Sequence, residues 1–202
     1  MNVYDFDKTV FDGDVEDYFF AYIFRDGKYP WNHLVYSVLE WACAHKIVNK
    51  TWARIKMYRV LKKIKNLDEV LDAYWDEHEK YLLDWYKEQQ KPDDVIATGT
   101  PRFLIEPMIK RMGLTGLVAT DMDPRNGDIN GLFLGADLKV PAFYEEFPDG
   151  EIDEFYSDTY SDHFLADIAK KAYLVHDGYQ MTDWYEYFDQ HPEKKTIPYR
   201  YH

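Results

Sequence analysis

Cysteine is almost missing from this 202-residue chain: Cys43 stands alone, so no intramolecular disulfide can close, and no Cys/His zinc pattern is present. Long apolar runs are missing too. The best candidate, residues 18–24, is broken by Arg25 and Asp26, well short of the roughly 20 residues a membrane-spanning helix needs. Residues 1–4 carry no basic leader and enter a strand pattern at once, so the expectation is a soluble, cytoplasmic protein with no membrane partner. Positive charge is scarce. Lys and Arg number 24 against 37 Asp and Glu, a net charge of −13 and a pI near 4.9, and nucleic acid is not an expected partner because its phosphates would be repelled. Neither repeats nor low-complexity tracts occur. What the chain does have is apolar content, 46% of residues, which suffices for a packed core in one or two domains.

The apolar-to-acidic run at residues 2–7, NVYDFD, reads as a buried strand ending in carboxylates. Helical patterns then take over. Residues 15–25 and 32–47 form the first two, and Asn49 or Thr51 can cap a third in which Trp52, Ile55, Tyr58 and Leu61 share a stripe. Leu67, Leu71, Tyr74, His78, Leu82 and Trp85 make a fourth stripe. Four amphipathic helices in succession predict a bundle, with Cys43 in its core and its Trp residues there too, or else lining a pocket for a bulky or apolar group. After Pro92, strand-like runs at 95–98, 117–120, 132–134, 154–157 and 172–175 are interleaved with helical patterns at 102–112 and 162–171. The turn-rich stretch 123–131 suggests a hairpin, and the tail 191–202 has no clear pattern. Strands alternating with helices predict a mostly parallel α/β sheet covered on both faces. It would comprise residues 1–14 and 92–202, interrupted by a helical domain at 15–91.

Ligands of such sheets bind beyond the carboxyl ends of the strands. The polar residues there are Asp5 and Asp7 after the first strand, Thr98 and Thr100 after the second, and Asp158 and Asp162 after the strand holding Tyr156, with Lys139 in the loop between Leu134 and Phe143. Several carboxylates in one crevice repel one another, so a divalent cation is the natural resolution. An oxygen-only donor set favours Mg²⁺ over zinc.

The run Asp5-Phe6-Asp7-Lys8-Thr9 matches DxDxT; Thr98 in IATGTP, Lys139, and Asp158 with Asp162 in YSDTYSD follow in order. With these four motifs the chain resembles the phosphatases of the haloacid dehalogenase (HAD) superfamily. The helical insertion resembles the C1 cap of subfamily IB, the phosphoserine phosphatase-like branch. The resemblance implies a three-layer Rossmann-like core and Mg²⁺-dependent hydrolysis of a small phosphorylated metabolite by a monomer or homodimer. It makes Asp5 the nucleophile that takes the phosphoryl group and Asp7 the general acid and base, with the Asp7 backbone carbonyl on the metal. Asp158 would complete the protein ligands, and Asp162 would hold a metal-bound water or orient Lys139. Thr98 and Lys139, helped by backbone N–H groups such as that of Gly99, would bind phosphoryl oxygens. The stretch before Lys139, GADLK, is shorter than the family's usual loop, which leaves Lys110 as the alternative lysine. Phosphoserine phosphatases grip the amino-acid end of their substrate with an acid and a cap arginine; Asp14, and Arg54 or Arg59, stand at comparable places.

Three other readings compete. An EF-hand loop over residues 5–16 lacks the required glycine, since Val10 occupies that position, and lacks an entering helix. The DKT of P-type ATPases would come with transmembrane helices. A catalytically silent HAD-fold binding protein for a metal or phospho-ligand is the alternative to an enzyme, and the intact Asp5/Asp7 pair favours the enzyme. Finally, Lys50, Arg54, Lys56, Arg59, Lys62, Lys63 and Lys65 follow one another with no acid between, either as a solvated face or as a positive rim that attracts phosphorylated substrates.

Overall fold

The computed structural model describes residues 1–176 and 179–196. Six strands form one sheet: β1 (Asn2–Tyr4), β2 (Val95–Pro101), β3 (Gly116–Thr120), β4 (Glu154–Ser157), β5 (Lys171–His176) and β6 (Gln180–Asp183). Their order is β3-β2-β1-β4-β5-β6, all parallel except the β5–β6 pair. The helices are α1 (Val15–Phe24), α2 (Pro30–Ala44), α3 (Lys50–Tyr58), α4 (Leu67–His78), α5 (Asp84–Gln89), α6 (Arg102–Arg111), α7 (Lys139–Glu146), α8 (His163–Ala166) and α9 (Trp184–Gln190). This is the mostly parallel α/β arrangement that the alternation of patterns predicts, and the Rossmann-like core that the resemblance implies.

Side-chain alternation along the strands sorts the core into two layers. Val3, Val95 and Phe155 face α7, α8 and α9, while Tyr4, Ile96 and Tyr156 face the opposite side. Register puts Tyr4 beside Tyr156 and Tyr156 beside Tyr173, and their rings stack at 4.7 and 5.0 Å between centroids. The helical insertion packs on this aromatic side. Tyr86 of α5 meets Tyr4 edge-on, and the Trp75 indole of α4 donates to the Leu104 carbonyl of α6 at 2.8 Å. Insertion and sheet face therefore share one continuous apolar cluster.

Helix starts follow local chemistry. Asp14 accepts from the N–H groups of Glu16 and Asp17, Asn49 from that of Trp52, and Asp183 from those of Tyr185 and Glu186. Several expectations are corrected. Residues 132–134 form no strand: the Leu134 N–H goes to the Thr120 hydroxyl, and the turn closes instead through a bridge between Met122 and Ile129. The fourth helical stripe breaks after His78 because Phe11 pairs with Leu82 and the Leu83 N–H reaches the Val10 carbonyl. The helix expected at 162–171 shrinks to α8, since the Lys170 N–H is drawn to the Ile152 carbonyl as β5 begins. Three of the tryptophans expected in the bundle core are exposed: Trp31 at 72%, Trp41 at 57% and Trp52 at 48%. Cys43 is half-buried. Of the tail, Pro192–Lys194 forms a short 3₁₀ turn, and residues 197–202 lie outside the described residues.

Candidate active site

Strand order reverses at β1, with β2 and β3 on one side and β4 and β5 on the other. The carboxyl end of β1 therefore opens between the ends of β2 and β4, where a parallel sheet leaves a crevice. Asp5 follows Tyr4 directly, and its N–H donates to the Tyr156 carbonyl at 2.9 Å, so the sheet ladder itself fixes this residue. Its buried carboxylate accepts from Lys139 Nζ at 2.8 Å. The same ammonium donates to Asp162 Oδ2 at 2.9 Å, which also accepts the Ser157 hydroxyl at 2.9 Å. Lys139 is not in a loop but is the first residue of α7, and the helix aims it into the crevice. Burial opposes its charge, but Asp162 and Asp5 outweigh burial and raise its pKa. Lys110 is exposed on α6 and pairs with Glu106.

Asp7 has quite different surroundings. Its Oδ1 accepts the Val15 N–H at 2.7 Å, and its Oδ2 accepts the Thr100 hydroxyl at 2.9 Å, with the Thr98 hydroxyl at 3.5 Å. Burial first, then the charges of Asp14 and Asp5, raises its pKa well above the usual carboxylate range. Burial pushes Asp5 up to about 6 against the pull of Lys139. Asp158 is pushed up to about 7 by burial, then by Asp5 and Asp162. Lys8, next to Asp7, adopts the left-handed conformation with φ 59°, which tightens the turn whose Lys8 N–H reaches the Gly13 carbonyl. Among the four aspartates expected near a cation, Asp7 and Asp162 have carboxylates committed to protein donors, while Asp5 and Asp158 repel each other across the crevice. Among the described residues, no three His, Cys, Asp or Glu side chains gather as a ready metal cage.

Sequence reasoning missed the neighbouring cluster built on Glu16. This buried acid pairs with Arg54 at 2.5 Å and accepts the Tyr58 hydroxyl at 2.8 Å, joining α1 to α3. A signal existed: Glu16 shares a helical stripe with Phe19, Phe20 and Ile23, an acid where only apolar residues are otherwise found. Arg54 also lies over the Phe133 ring at 5.1 Å. Gly99 lets this loop approach: a Cβ there would stand 3.1 Å from the Leu134 carbonyl oxygen. Gly127, at φ +76°, lies so close to the Tyr58 backbone that a Cβ would meet it at 2.7 Å. The loop after β3 thus presses on α3. Asp14 is engaged as the α1 cap, and Arg59 is exposed at the start of a 3₁₀ turn, outside this cluster.

A family model for haloacid dehalogenase-like hydrolases matches residues 3–167, a span that includes Asp5, Asp7, Lys139, Asp158 and Asp162. Among solved structures, a protein of unknown function from Bordetella pertussis Tohama I superposes on 98% of this chain and 97% of its own, with a TM-score of 0.74 and 17% identity. A probable phosphoserine phosphatase from Vibrio cholerae matches 85% of this chain and 55% of its own, with a TM-score of 0.61 and 10% identity. A HAD-family hydrolase from Salmonella enterica serovar Typhi matches 84% and 60%, with a TM-score of 0.57 and 13% identity. These identities speak to fold alone, and the chain spans little more than half the length of the last two. No curated protein sequence matches. The family model covers most of the chain and takes in every strand-end acid of the crevice, and on that ground the chain belongs to the haloacid dehalogenase-like hydrolases.

Proposed function

We propose that this hydrolase is a Mg²⁺-dependent phosphomonoesterase of the phosphoserine phosphatase-like kind, acting on a small phosphorylated metabolite through a phosphoaspartate at Asp5. The observation that carries this reading is the division of labour between two carboxylates two residues apart. Asp5 faces an ammonium group, whereas Asp7 is turned toward the Val15 N–H and the Thr100 hydroxyl, in surroundings that favour its protonated form. A nucleophile needs to be ionised and an acid needs its proton; burial raises both carboxyls, but Lys139 holds Asp5 to about 6, whereas the charges of Asp14 and Asp5 add to the rise at Asp7.

An Asp5 oxygen attacks phosphorus as the bond to the leaving alcohol breaks, and Asp7 gives that alkoxide its proton. Asp7, now a carboxylate, takes a proton from water as the water oxygen attacks phosphorus and the Asp5–phosphorus bond breaks, releasing phosphate. Lys139 and Thr98, with the Gly99 N–H, donate to the phosphoryl oxygens, and Ser157 and Asp162 keep the Lys139 ammonium in position. The mutual repulsion of Asp5 and Asp158 and their all-oxygen chemistry suit Mg²⁺, which these two carboxylates and the Asp7 carbonyl would hold. When bound, the ion would neutralise charge on the transferring phosphoryl group. Residues 15–91 would serve as a C1 cap over a core of residues 1–14 and 92–202. Arg54 with Glu16, beside Asp14, would meet the leaving group; exposed Arg59 would act only at the entrance.

A panel of phosphomonoesters assayed after chelation and again after Mg²⁺ addition tests this proposal. Hydrolysis of at least one, lost with chelator and restored by Mg²⁺, is expected. Full turnover in excess chelator, or inertness toward every phosphomonoester, would contradict it.

A further inference from the structure

Residues 28–65 carry nine Lys or Arg and a single acid, Glu40, a net +8 within a chain of −13, so the remainder carries −21. The same segment holds seven of the twelve large apolar side chains exposed among the described residues. The two properties coincide on the α2–α3 hairpin.

Helix α2 has two apolar stripes. One, with Tyr36 and Leu39, is turned to α1, where the Tyr36 ring meets Phe20 and Phe24 at 4.7 and 5.6 Å. The other consists of Trp31, Leu34, Val35, Val38 and Trp41, at i, i+3, i+4, i+7 and i+10, and it is exposed. Ile47, in the turn after α2, and Trp52, in the first turn of α3, are exposed as well. Lysines accompany these residues: Lys46 and Lys50 flank Ile47 in sequence, and Lys56 Nζ lies 5.4 Å from the centre of the Trp52 ring. An exposed apolar stripe of this length on one helix marks an interaction site.

The occupant must be apolar where it meets the band and anionic at its edge. A second copy fits poorly, because a twofold contact would bring two +8 segments face to face. A single-stranded nucleic acid would use the tryptophans as stacking platforms but would leave the aliphatic row of Leu34, Val35 and Val38 in water. An anionic bilayer satisfies both demands. Tryptophan and aliphatic side chains sink into the boundary between headgroups and acyl chains, while lysines meet lipid phosphates. A 15-residue helix is about 22 Å long and can lie flat in that boundary. No helix among the described residues is long and apolar enough to cross a membrane, so the contact would be peripheral.

We propose that the α2–α3 hairpin docks this hydrolase on anionic lipid bilayers, with the Trp31–Trp41 stripe, Ile47 and Trp52 in the interface and the flanking lysines on the headgroups. The proposal departs from the expectation of no membrane partner, and it does not depend on the chemistry of the crevice.

Co-sedimentation of the full chain with phosphatidylcholine vesicles, and with vesicles of phosphatidylcholine mixed with phosphatidylglycerol, tests it. Binding to the mixed vesicles, little to the neutral ones, and weakening with salt are expected. Trp41→Ser combined with Trp52→Ser, and separately Lys50→Glu combined with Lys56→Glu, should each weaken binding by more than about tenfold. The tryptophan variant should leave hydrolysis of a soluble phosphomonoester unchanged. Absence of binding to anionic vesicles at low salt, or undiminished binding by both variants, would overturn the proposal. So would self-association that Trp41→Ser abolishes without vesicle binding, or capture of a single-stranded oligonucleotide in preference to vesicles.

Discussion

The crevice at the end of β1 and the α2–α3 hairpin break the ordinary partition of side chains in opposite directions. In the crevice, Asp5, Lys139 and Asp162 are charged groups sealed from water and joined by hydrogen bonds. On the hairpin, Trp31, Trp41 and Trp52 are large apolar groups left in water, the last of them beside Lys56. Neither arrangement helps the fold. Buried charge costs desolvation, and exposed tryptophan forgoes burial worth about 2–3 kcal/mol per large side chain. Segments that violate local rules without a structural return are where function is to be sought. The two differ in kind: the crevice is organised toward one small reacting group, and the hairpin toward an extended surface.

The comparison can be broken first at its strongest point. Asp5→Asn should lower turnover by about 10⁴-fold or more, measured by phosphate release, because the attacking oxygen is gone. Asp7→Asn should cost about 10²–10⁴-fold with alkyl phosphates, and much less with an aryl phosphate whose leaving group needs no proton. An equal loss on both substrates would remove Asp7 from the acid role.

Stability separates the tryptophans. Trp75→Ala empties the shared core and should cost about 3–5 kcal/mol in denaturant unfolding, whereas Trp31→Ser should stay within about 0.5 kcal/mol. Between these falls Arg54→Met, which strands the buried Glu16 carboxylate and should cost about 3 kcal/mol near neutral pH. The pH sign is definite. Burial raises the Glu16 pKa and Arg54 lowers it, so the variant's pKa rises further. The unfolded chain then ionises first, and stability falls as pH rises through the folded value. The defect should therefore shrink in acid, as urea titrations at several pH values would show. A defect independent of pH would mean that Arg54 matters for packing alone.

Much of the crevice was legible because its residues sit at strand ends, and strands announce themselves locally: NVYDFD and VIATGT show where each strand stops. Lys139 was legible as a residue but not as a helix start. Pro141 stands in the first turn of α7, where a missing N–H costs least. β6 and α9 escaped notice because QMTD is short and polar and the run after it is dominated by tyrosine and acid. Glu16, Arg54 and Tyr58 meet only after α3 folds back on α1, and no local pattern announces such a pairing. The exposed tryptophans show the same limit from another side. Periodicity tells which residues share a face, and α2 has two apolar faces, only one of which α1 covers.

Transfer of the phosphoryl group to Asp5 is the central claim, and it can be observed directly. The enzyme should be mixed with Mg²⁺ and a rapidly hydrolysed aryl phosphate, quenched in acid within a turnover, and digested for mass spectrometry. The account predicts one added phosphoryl group on the peptide containing Asp5, labile to hydroxylamine and absent from Asp5→Asn. Hydrolysis that proceeds while that peptide stays unmodified, or a phosphoryl group found on Asp7 or Thr98 instead, would contradict it.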